Sequence, residues 1–138
     1  MNVSTEDYLR TLYAIYEKLK DKSEGLRSID VAKELGISKP SVSAMIKKLI
    51  SMNYLKAKPY SKIHFTRKGL KEALRVMHNH RVIEVFLRDI LGYGLTKVHE
   101  EAHRLEHAFS EESIKRLDKF LKHPKKSPYG MKIPPKMR

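Results

Sequence analysis

The sequence contains no cysteine and has no long hydrophobic run. Without cysteine the chain forms neither a disulfide nor a thiolate metal site, which is compatible with a reducing cytoplasm. No apolar segment approaches the roughly 20 residues that a membrane-spanning helix needs. The first residues also lack the basic region and apolar stretch of a secretory signal. We therefore expect a cytoplasmic protein that does not enter the membrane.

Motifs of the common enzyme classes are missing as well. The sequence has no H-E-x-x-H zinc motif and no glycine-rich phosphate loop, and it offers no recognisable pairing of a nucleophile with a base. We therefore expect that the protein is not an enzyme.

Positive charge is what the sequence has in excess. It carries 29 Lys and Arg against 16 Asp and Glu, a formal net charge of +13. A field of this sign attracts polyanions, and nucleic acid is the first candidate. Hydrophobic residues still make up 41% of the chain, so a packed core is expected.

The spacing of apolar residues predicts a mainly α fold. Six helices are expected over residues 5–20, 29–35, 41–52, 67–91, 96–109 and 110–123, with the tail 125–138 extended or mobile. Gly36 and Ser38 mark the turn between the second helix and the third, which makes a helix-turn-helix. Residues 54–58 and 62–66 alternate like two strands joined by a turn, so they predict a β-hairpin wing.

The outward residues of the predicted third helix indicate a DNA-binding surface. These residues are small, polar or cationic, which suits a helix in the major groove and bonds to phosphates. No Arg, Asn or Gln lies between positions 38 and 48, so direct base readout is expected to be sparse. The alternative is a solvated face used for protein contacts. The predicted DNA-binding residues are Ser38, Lys39, Pro40, Ser41, Ser43, Ala44, Lys47 and Lys48, with Lys58, Tyr60 and Lys62 from the wing.

Histidine and glutamate cluster in the second half of the chain. His99, His103, Glu106 and His107 fall within an arc of roughly 100° if they share one helix. The preceding helix offers a further pair, His80 and Glu84, one turn apart. Imidazole and carboxylate suit Mn2+, Fe2+, Co2+, Ni2+ or Zn2+. A solvated helix face remains the alternative interpretation of this spacing.

Three segments of the chain resemble the diphtheria toxin repressor and manganese transport regulator family of metalloregulators. They are residues 5–13 (TEDYLRTLY), residues 38–43 (SKPSVS) and residues 99–107 (HEEAHRLEH), and the KSPYG segment at 126–130 adds to the likeness. The resemblance implies a winged-helix domain (residues 1–70) and an all-helical metal-binding and dimerisation domain (residues 71–138). It also implies a homodimer that represses transcription by binding palindromic double-stranded DNA when loaded with Mn2+ or Fe2+, with Co2+, Ni2+ or Zn2+ as substitutes in vitro. The alternative is a metal-independent winged-helix DNA-binding protein.

The resemblance also implies the ligands of two metal sites. The primary site consists of Asp7, His103, Glu106 and His107, and the second site of His80, Glu84 and His99. Three departures from the family pattern matter. Arg10 stands where the manganese type carries Glu, which argues against its two-metal cluster, and Ala44 replaces the iron type's base-contacting Gln. The SH3-like domain of the iron type is not expected here.

Overall fold

The computed structural model describes residues 3–57 and 62–137. The chain divides into two compact units, one running to Leu74 and the other beginning at Arg75. Among the described helices, none has both the length and the apolar character needed to cross a bilayer.

The first unit is a winged helix-turn-helix. Its two strands are antiparallel, with Leu55 opposite Phe65 and Ala57 opposite Ile63, and Leu26 forms a bridge to Ile63. The described elements are α1 (Val3–Glu17), a short 3-10 helix (Lys22–Glu24), α2 (Ser28–Leu35), α3 (Lys39–Ser51), β1 (Leu55–Ala57), β2 (Ile63–Phe65) and the start of α4 (Arg67–Val85).

The turn between α2 and α3 forms as the sequence predicts. Gly36 adopts a left-handed conformation with φ of 63°, and its N–H donates to the carbonyl of Ala32. The hydroxyl of Ser38 accepts a hydrogen bond from the Ser41 N–H at 3.3 Å, which caps α3, while Pro40 occupies the first turn. The inward face of α3 is buried as predicted, at Val42, Met45, Ile46 and Leu49.

The start of α4 lies directly against the turn that precedes β1. A Cβ atom built on Gly69 would lie 1.8 Å from the carbonyl oxygen of Tyr54. The Gly69 N–H donates to the hydroxyl of Thr66, and that hydroxyl donates to the Asn53 carbonyl. Glycine at position 69 is therefore what allows α4 to begin this close to the backbone of Tyr54.

The second unit is helical. From α4 the chain passes into a π-helical turn (Phe86–Ile90), then α5 (Leu95–Leu105) and α6 (Glu111–Phe120). Its core is a cluster of fully buried apolar side chains, Ile83, Leu87, Val98, Ala102 and Ile114. Together with the winged helix, this architecture confirms the predicted fold class.

The C-terminal tail, expected to be extended or mobile, contains a turn at residues 126–132 and is held in place by contacts with the second unit. Ile133 is buried against Val82 and Val85. The Pro134 carbonyl lies 2.8 Å from Nδ1 of His78, and Lys136 Nζ lies 2.6 Å from Oε2 of Glu111. The expectation of a mobile tail is therefore wrong for the described residues of this segment.

Several predicted helix limits differ from the structure. The helix α1 spans Val3–Glu17, whereas the apolar spacing predicts residues 5–20. The predicted helix 67–91 changes to π geometry at Phe86, where the Leu91 N–H bonds the carbonyl five residues back. The helix α5 ends at Leu105, four residues earlier than predicted.

Two predictions of burial also need correction. Apolar spacing in the predicted helix 29–35 predicts that Ile29 points inward, but it is 46% exposed. At 100° per residue it lies about 200° from the buried Val31, so the two cannot share one face of α2. Apolar residues of the last three helices are expected to contact a partner copy, but Val82, Val85 and Ile114 pack inside the second unit.

Candidate metal centre and DNA-binding helix

Three of the predicted metal ligands converge in the second unit. His80 and Glu84 lie one turn apart on α4, and His99 projects from α5. Nε2 of His80 is 3.3 Å from Oε2 of Glu84 and 3.2 Å from Nδ1 of His99. The same Nδ1 is 3.5 Å from the Glu84 oxygen. One donor atom from each side chain therefore faces a common centre.

These separations fit ligands of one small cation. With metal–ligand distances of about 2.1 Å, neighbouring ligand atoms lie roughly 3.0 Å apart in octahedral geometry and 3.4 Å in tetrahedral geometry. The observed separations of 3.2, 3.3 and 3.5 Å fall close to these values. Two imidazoles and a carboxylate are also a donor set that divalent transition metals accept.

The carboxylate of this group is buried but remains charged. Burial raises the pKa of Glu84, but the hydrogen bonds from His80 and His99 outweigh this effect and lower the pKa to about 2. Its side chain is only 4% exposed, and an isolated carboxylate at such a place carries a large desolvation cost. The negative charge is therefore already present where a cation would bind.

A second group of donors lies at the end of α5. His103 is on the helix, while Glu106 and His107 fall in the turn that follows Leu105, although the sequence spacing predicts one helix for all three. Glu106 keeps helical backbone angles, so the three side chains still converge. Its Oε1 lies 3.6 Å from Nδ1 of His103 and 3.5 Å from Nε2 of His107. The Glu106 side chain is 3% exposed, so it is a second buried carboxylate that faces histidines.

The two groups are joined by one contact. Nδ1 of His80 lies 2.7 Å from Oε2 of Glu106. With the proton on Nδ1, the ring donates to the Glu106 carboxylate, and a neutral ring would offer the lone pair of Nε2 to a metal in place of the contact with Glu84. Spacing along the chain does not predict this contact, because it does not report which side chains meet between α4 and the end of α5.

The remaining predicted ligand, Asp7, lies on α1 in the first unit. Its Oδ1 is 3.7 Å from Nη2 of Arg10, which follows it by one turn. Arg10 is the position at which the manganese type of the resembled family carries Glu. The positively charged Arg10 side chain therefore lies beside Asp7, where the manganese type has an additional carboxylate.

The predicted DNA-binding residues of α3 form one continuous exposed face. All eight are exposed, while the buried residues of the helix lie on the opposite side. Lys62, directly before β2, is exposed too. Lys58 and Tyr60 lie outside the described residues. The exposed positions on α3 and its cap are Ser38, Lys39, Pro40, Ser41, Ser43, Ala44, Lys47 and Lys48.

These features define a class: winged helix-turn-helix proteins that carry a helical unit with paired histidine and carboxylate groups. Residues 1–63 match the iron dependent repressor N-terminal DNA binding domain, and residues 66–135 match the iron dependent repressor metal binding and dimerisation domain. The chain belongs to the iron-dependent repressor family.

Similar proteins from several organisms support this membership. An HTH-type transcriptional regulator of Methanocaldococcus jannaschii is 36% identical over 88% of this chain and 94% of its own length. The iron-dependent repressor IdeR of Mycobacterium tuberculosis is 36% identical over 95% of this chain. Among solved structures, the manganese regulator SloR covers all of this chain at 36% identity with a TM-score of 0.81. The metal-dependent transcriptional regulator MtsR covers 97% at 38% identity with a TM-score of 0.83.

Three of these relatives are longer than this chain. The match spans 55% of IdeR, 62% of the SloR chain and 60% of the MtsR chain. The chain thus corresponds to a little over half of these longer relatives.

Proposed function

We propose that this chain is a metal-dependent repressor of transcription in the cytoplasm. It binds a palindromic operator as a homodimer when loaded with Mn2+ or Fe2+, and it thereby controls metal homeostasis. The DNA-binding domain would comprise residues 1–70 and the metal-binding and dimerisation domain residues 71–138.

The observation that carries the proposal is the pair of buried carboxylates that face histidines in the second unit. Glu84 faces His80 and His99, and Glu106 faces His103 and His107. Burying two carboxylates this deeply is unfavourable unless cations or hydrogen-bond donors compensate for them. A helical surface that merely contacts solvent has no reason to bury its carboxylates.

The choice of metal follows from the donor atoms. Every proposed ligand offers nitrogen or oxygen, and the chain has no cysteine. Oxygen donors suit Mn2+, whereas imidazole also suits Fe2+ and, in vitro, Zn2+, Co2+ or Ni2+. The absence of soft sulfur favours Mn2+ slightly.

We assign the ligands to two sites, as the resemblance implies. The primary site takes Asp7 from the DNA-binding domain together with His103, Glu106 and His107. The second site takes His80, Glu84 and His99. A metal that joins Asp7 to the helical domain would fix the orientation of the two domains and the spacing of the two recognition helices in a dimer. Metal would bind this arrangement of the two domains more tightly than other arrangements. Metal loading would therefore shift the protein towards the arrangement that binds DNA.

A metal-series titration of DNA binding tests the proposal. A fragment of the protein's own promoter is titrated with protein in the presence of Mn2+, Fe2+, Co2+, Zn2+ or a chelator. We expect DNA affinity to rise by at least about fivefold with the activating metal, which is the lower end of typical allosteric couplings. Equal affinity with metal and with chelator would instead support the metal-independent winged-helix protein.

The homodimer and the operator need their own measurement. In the second unit, Ile90, Leu91, Leu95 and Phe120 are each more than 40% exposed, which is apolar surface available for a partner copy. Light scattering should give twice the chain mass of 16.1 kDa at micromolar protein. A footprint on the promoter should cover two inverted half-sites about one helical turn apart.

A further inference from the structure

Residues 126–132 form a tight turn at the C-terminal end of the chain, which we call the C-terminal turn. Lys126 and Lys132 pair as a β-bridge, and Gly130 turns the backbone with φ of 81°. The hydroxyl of Ser127 accepts hydrogen bonds from the Tyr129 and Met131 N–H groups, each at 3.3 Å. Ser127 is buried, so the turn is held from inside.

The side chain at the tip of this turn reaches α5. The hydroxyl of Tyr129 donates to the Leu95 carbonyl and accepts a hydrogen bond from the His99 N–H at 3.2 Å. Leu95 and His99 are four residues apart, which is the spacing of a helical hydrogen bond. The hydroxyl therefore bridges a carbonyl and an N–H group of the first turn of α5. Gly94 at the start of the helix provides no side-chain cap.

The other edge of the same turn is tied to α4. Nη1 of Arg81 donates to the carbonyl of Lys132 at 2.7 Å, and Arg81 is 5% exposed. Arg81 follows His80 directly on α4. The C-terminal turn is therefore bonded to both helices that carry the donors of the second metal site.

We propose that Tyr129 is a positioning residue for the second metal site, because its hydroxyl fixes the backbone of His99 relative to His80 and Glu84. This inference rests on the proposed function, which assigns these three residues to a metal. It adds the C-terminal turn as a part of the site that supplies no ligand of its own.

The physical reason lies in the exposure of the His99 side chain. That side chain is 60% exposed, whereas those of His80 and Glu84 are 3% and 4% exposed. Packing therefore orients the two ligands on α4, but it does little for the ligand on α5. Small losses of ligand position reduce metal affinity, and removal of supporting hydrogen bonds typically costs about 10- to 100-fold.

The test compares two changes of tyrosine to phenylalanine in the full chain. Tyr129→Phe removes the hydroxyl at α5, and Tyr93→Phe removes a hydroxyl from a ring that packs against the core of the same unit. Calorimetric titration with Mn2+ should resolve the primary and second sites. We expect Tyr129→Phe to weaken the second site by about 3- to 10-fold and to leave the primary site unchanged. A change of less than about twofold, equal to that of Tyr93→Phe, would overturn the inference.

Amide hydrogen exchange provides a measurement that needs no tyrosine variant. In the wild-type protein, saturating Mn2+ should slow exchange in residues 126–132. The same metal should give no such protection in His99→Ala, which lacks the ligand that connects the turn to the site. Protection that is equal in both proteins would contradict a role of Tyr129 through His99.

The same variant separates this inference from the proposed function. If His99→Ala loses the second Mn2+ but Tyr129→Phe behaves like wild type, the metal site stands and the role of Tyr129 is wrong. If His99→Ala binds both ions with wild-type affinity, His99 is not a ligand, and the second site and the inference are overturned together.

Discussion

Nδ1 of His80 donates a hydrogen bond to Oε2 of Glu106 at 2.7 Å, although the two residues belong to different donor groups. Each residue also faces its own group through another atom, Nε2 of His80 and Oε1 of Glu106. A metal in the second site would bind His80 through Nε2, and a metal in the primary site would bind Glu106 through Oε1. Because a carboxylate that holds a ligating imidazole raises its basicity, changes at Glu106 should affect both sites.

The first prediction concerns the primary site. His103→Ala should abolish metal activation of DNA binding, because it removes one of about four ligands, and it should leave the fold intact, because the side chain is 45% exposed. Metal affinity at this site should fall by at least about 10- to 100-fold. Fluorescence anisotropy with operator DNA across an Mn2+ titration measures the effect.

His123→Ala is the matched control for this prediction. His123 is also an exposed histidine of the second unit, but its Nδ1 bonds Asp118 at 2.8 Å and contacts neither donor group. This variant should respond to Mn2+ as the wild type does. If both variants lost activation equally, the effect would come from removing a histidine in general.

The second prediction concerns Asp7. In Asp7→Ala, metal should still bind the donors of the second unit but should no longer raise DNA affinity, because the ligand from the DNA-binding domain is gone. Calorimetry measures metal binding, and fluorescence anisotropy measures DNA affinity. Full metal-dependent DNA binding by Asp7→Ala would show that Asp7 serves only as a carboxylate near the start of α1.

The sequence was sufficient to predict most of the fold. Gly36, Ser38 and Pro40 are local signals with local causes, so the turn between α2 and α3 formed as predicted. The π-helical turn at Phe86–Ile90 and the docking of the tail through Ile133 were not predictable in the same way. Both depend on packing between segments that are distant in sequence, and apolar spacing along one helix does not report it.

The candidate site was predictable to a similar extent. Spacing brings His80 and Glu84 onto one face of α4, and it places His99 and His103 on one face of α5. It does not show which groups meet across the two helices, so the contact between His80 and Glu106 required the structure. Tyr129 stood out in the sequence only through a resemblance, and its bond to the backbone of α5 has no sequence signal.

The third prediction concerns the DNA surface. Each phosphate neutralised contributes about −0.9 to the slope of log affinity against log salt, and the lysines of two protomers can supply roughly six to ten contacts. We expect Lys47→Ala to flatten this slope by about 1 to 2 per dimer. Lys119→Ala on α6 is the control and should leave the slope unchanged. A wild-type slope shallower than about −3 would mean that α3 and the wing are not the DNA interface.

The fourth prediction concerns stability of the first unit. Gly69→Ala should destabilise it by about 2 kcal/mol or more, because the added Cβ would lie 1.8 Å from the Tyr54 carbonyl oxygen and the backbone must shift. Gly94→Ala is the matched control, since no atom lies within 4 Å of its Cβ position and its φ is an ordinary −70°. That change should cost less than about 1 kcal/mol. Equal melting temperatures for the two variants would contradict the close approach.

The last prediction concerns the carboxylate that holds the tail to α4. Glu111 Oε2 accepts from Lys136 at 2.6 Å, and Oε1 accepts from Asn79 and Arg75, each at 2.9 Å. Burial raises the pKa of Glu111, but the bonds from Lys136, Asn79 and Arg75 outweigh it and lower the pKa from 4.5 to about 2. Because the folded state has the lower pKa, the stabilisation is complete above about pH 4.5 and is lost as the pH falls towards 2.

Glu111→Gln should remove this part of the acid sensitivity. The melting temperature of the wild type should fall more steeply between pH 5 and pH 3 than that of the variant, and Glu112→Gln should behave like the wild type, because Glu112 bonds Arg116 within α6 and not the tail. The Glu111 side chain is 52% exposed, so solvent screening limits the contribution to about 1 kcal/mol or less. Parallel melting curves for wild type and Glu111→Gln over this range would show that these bonds do not hold the C-terminal segment in place.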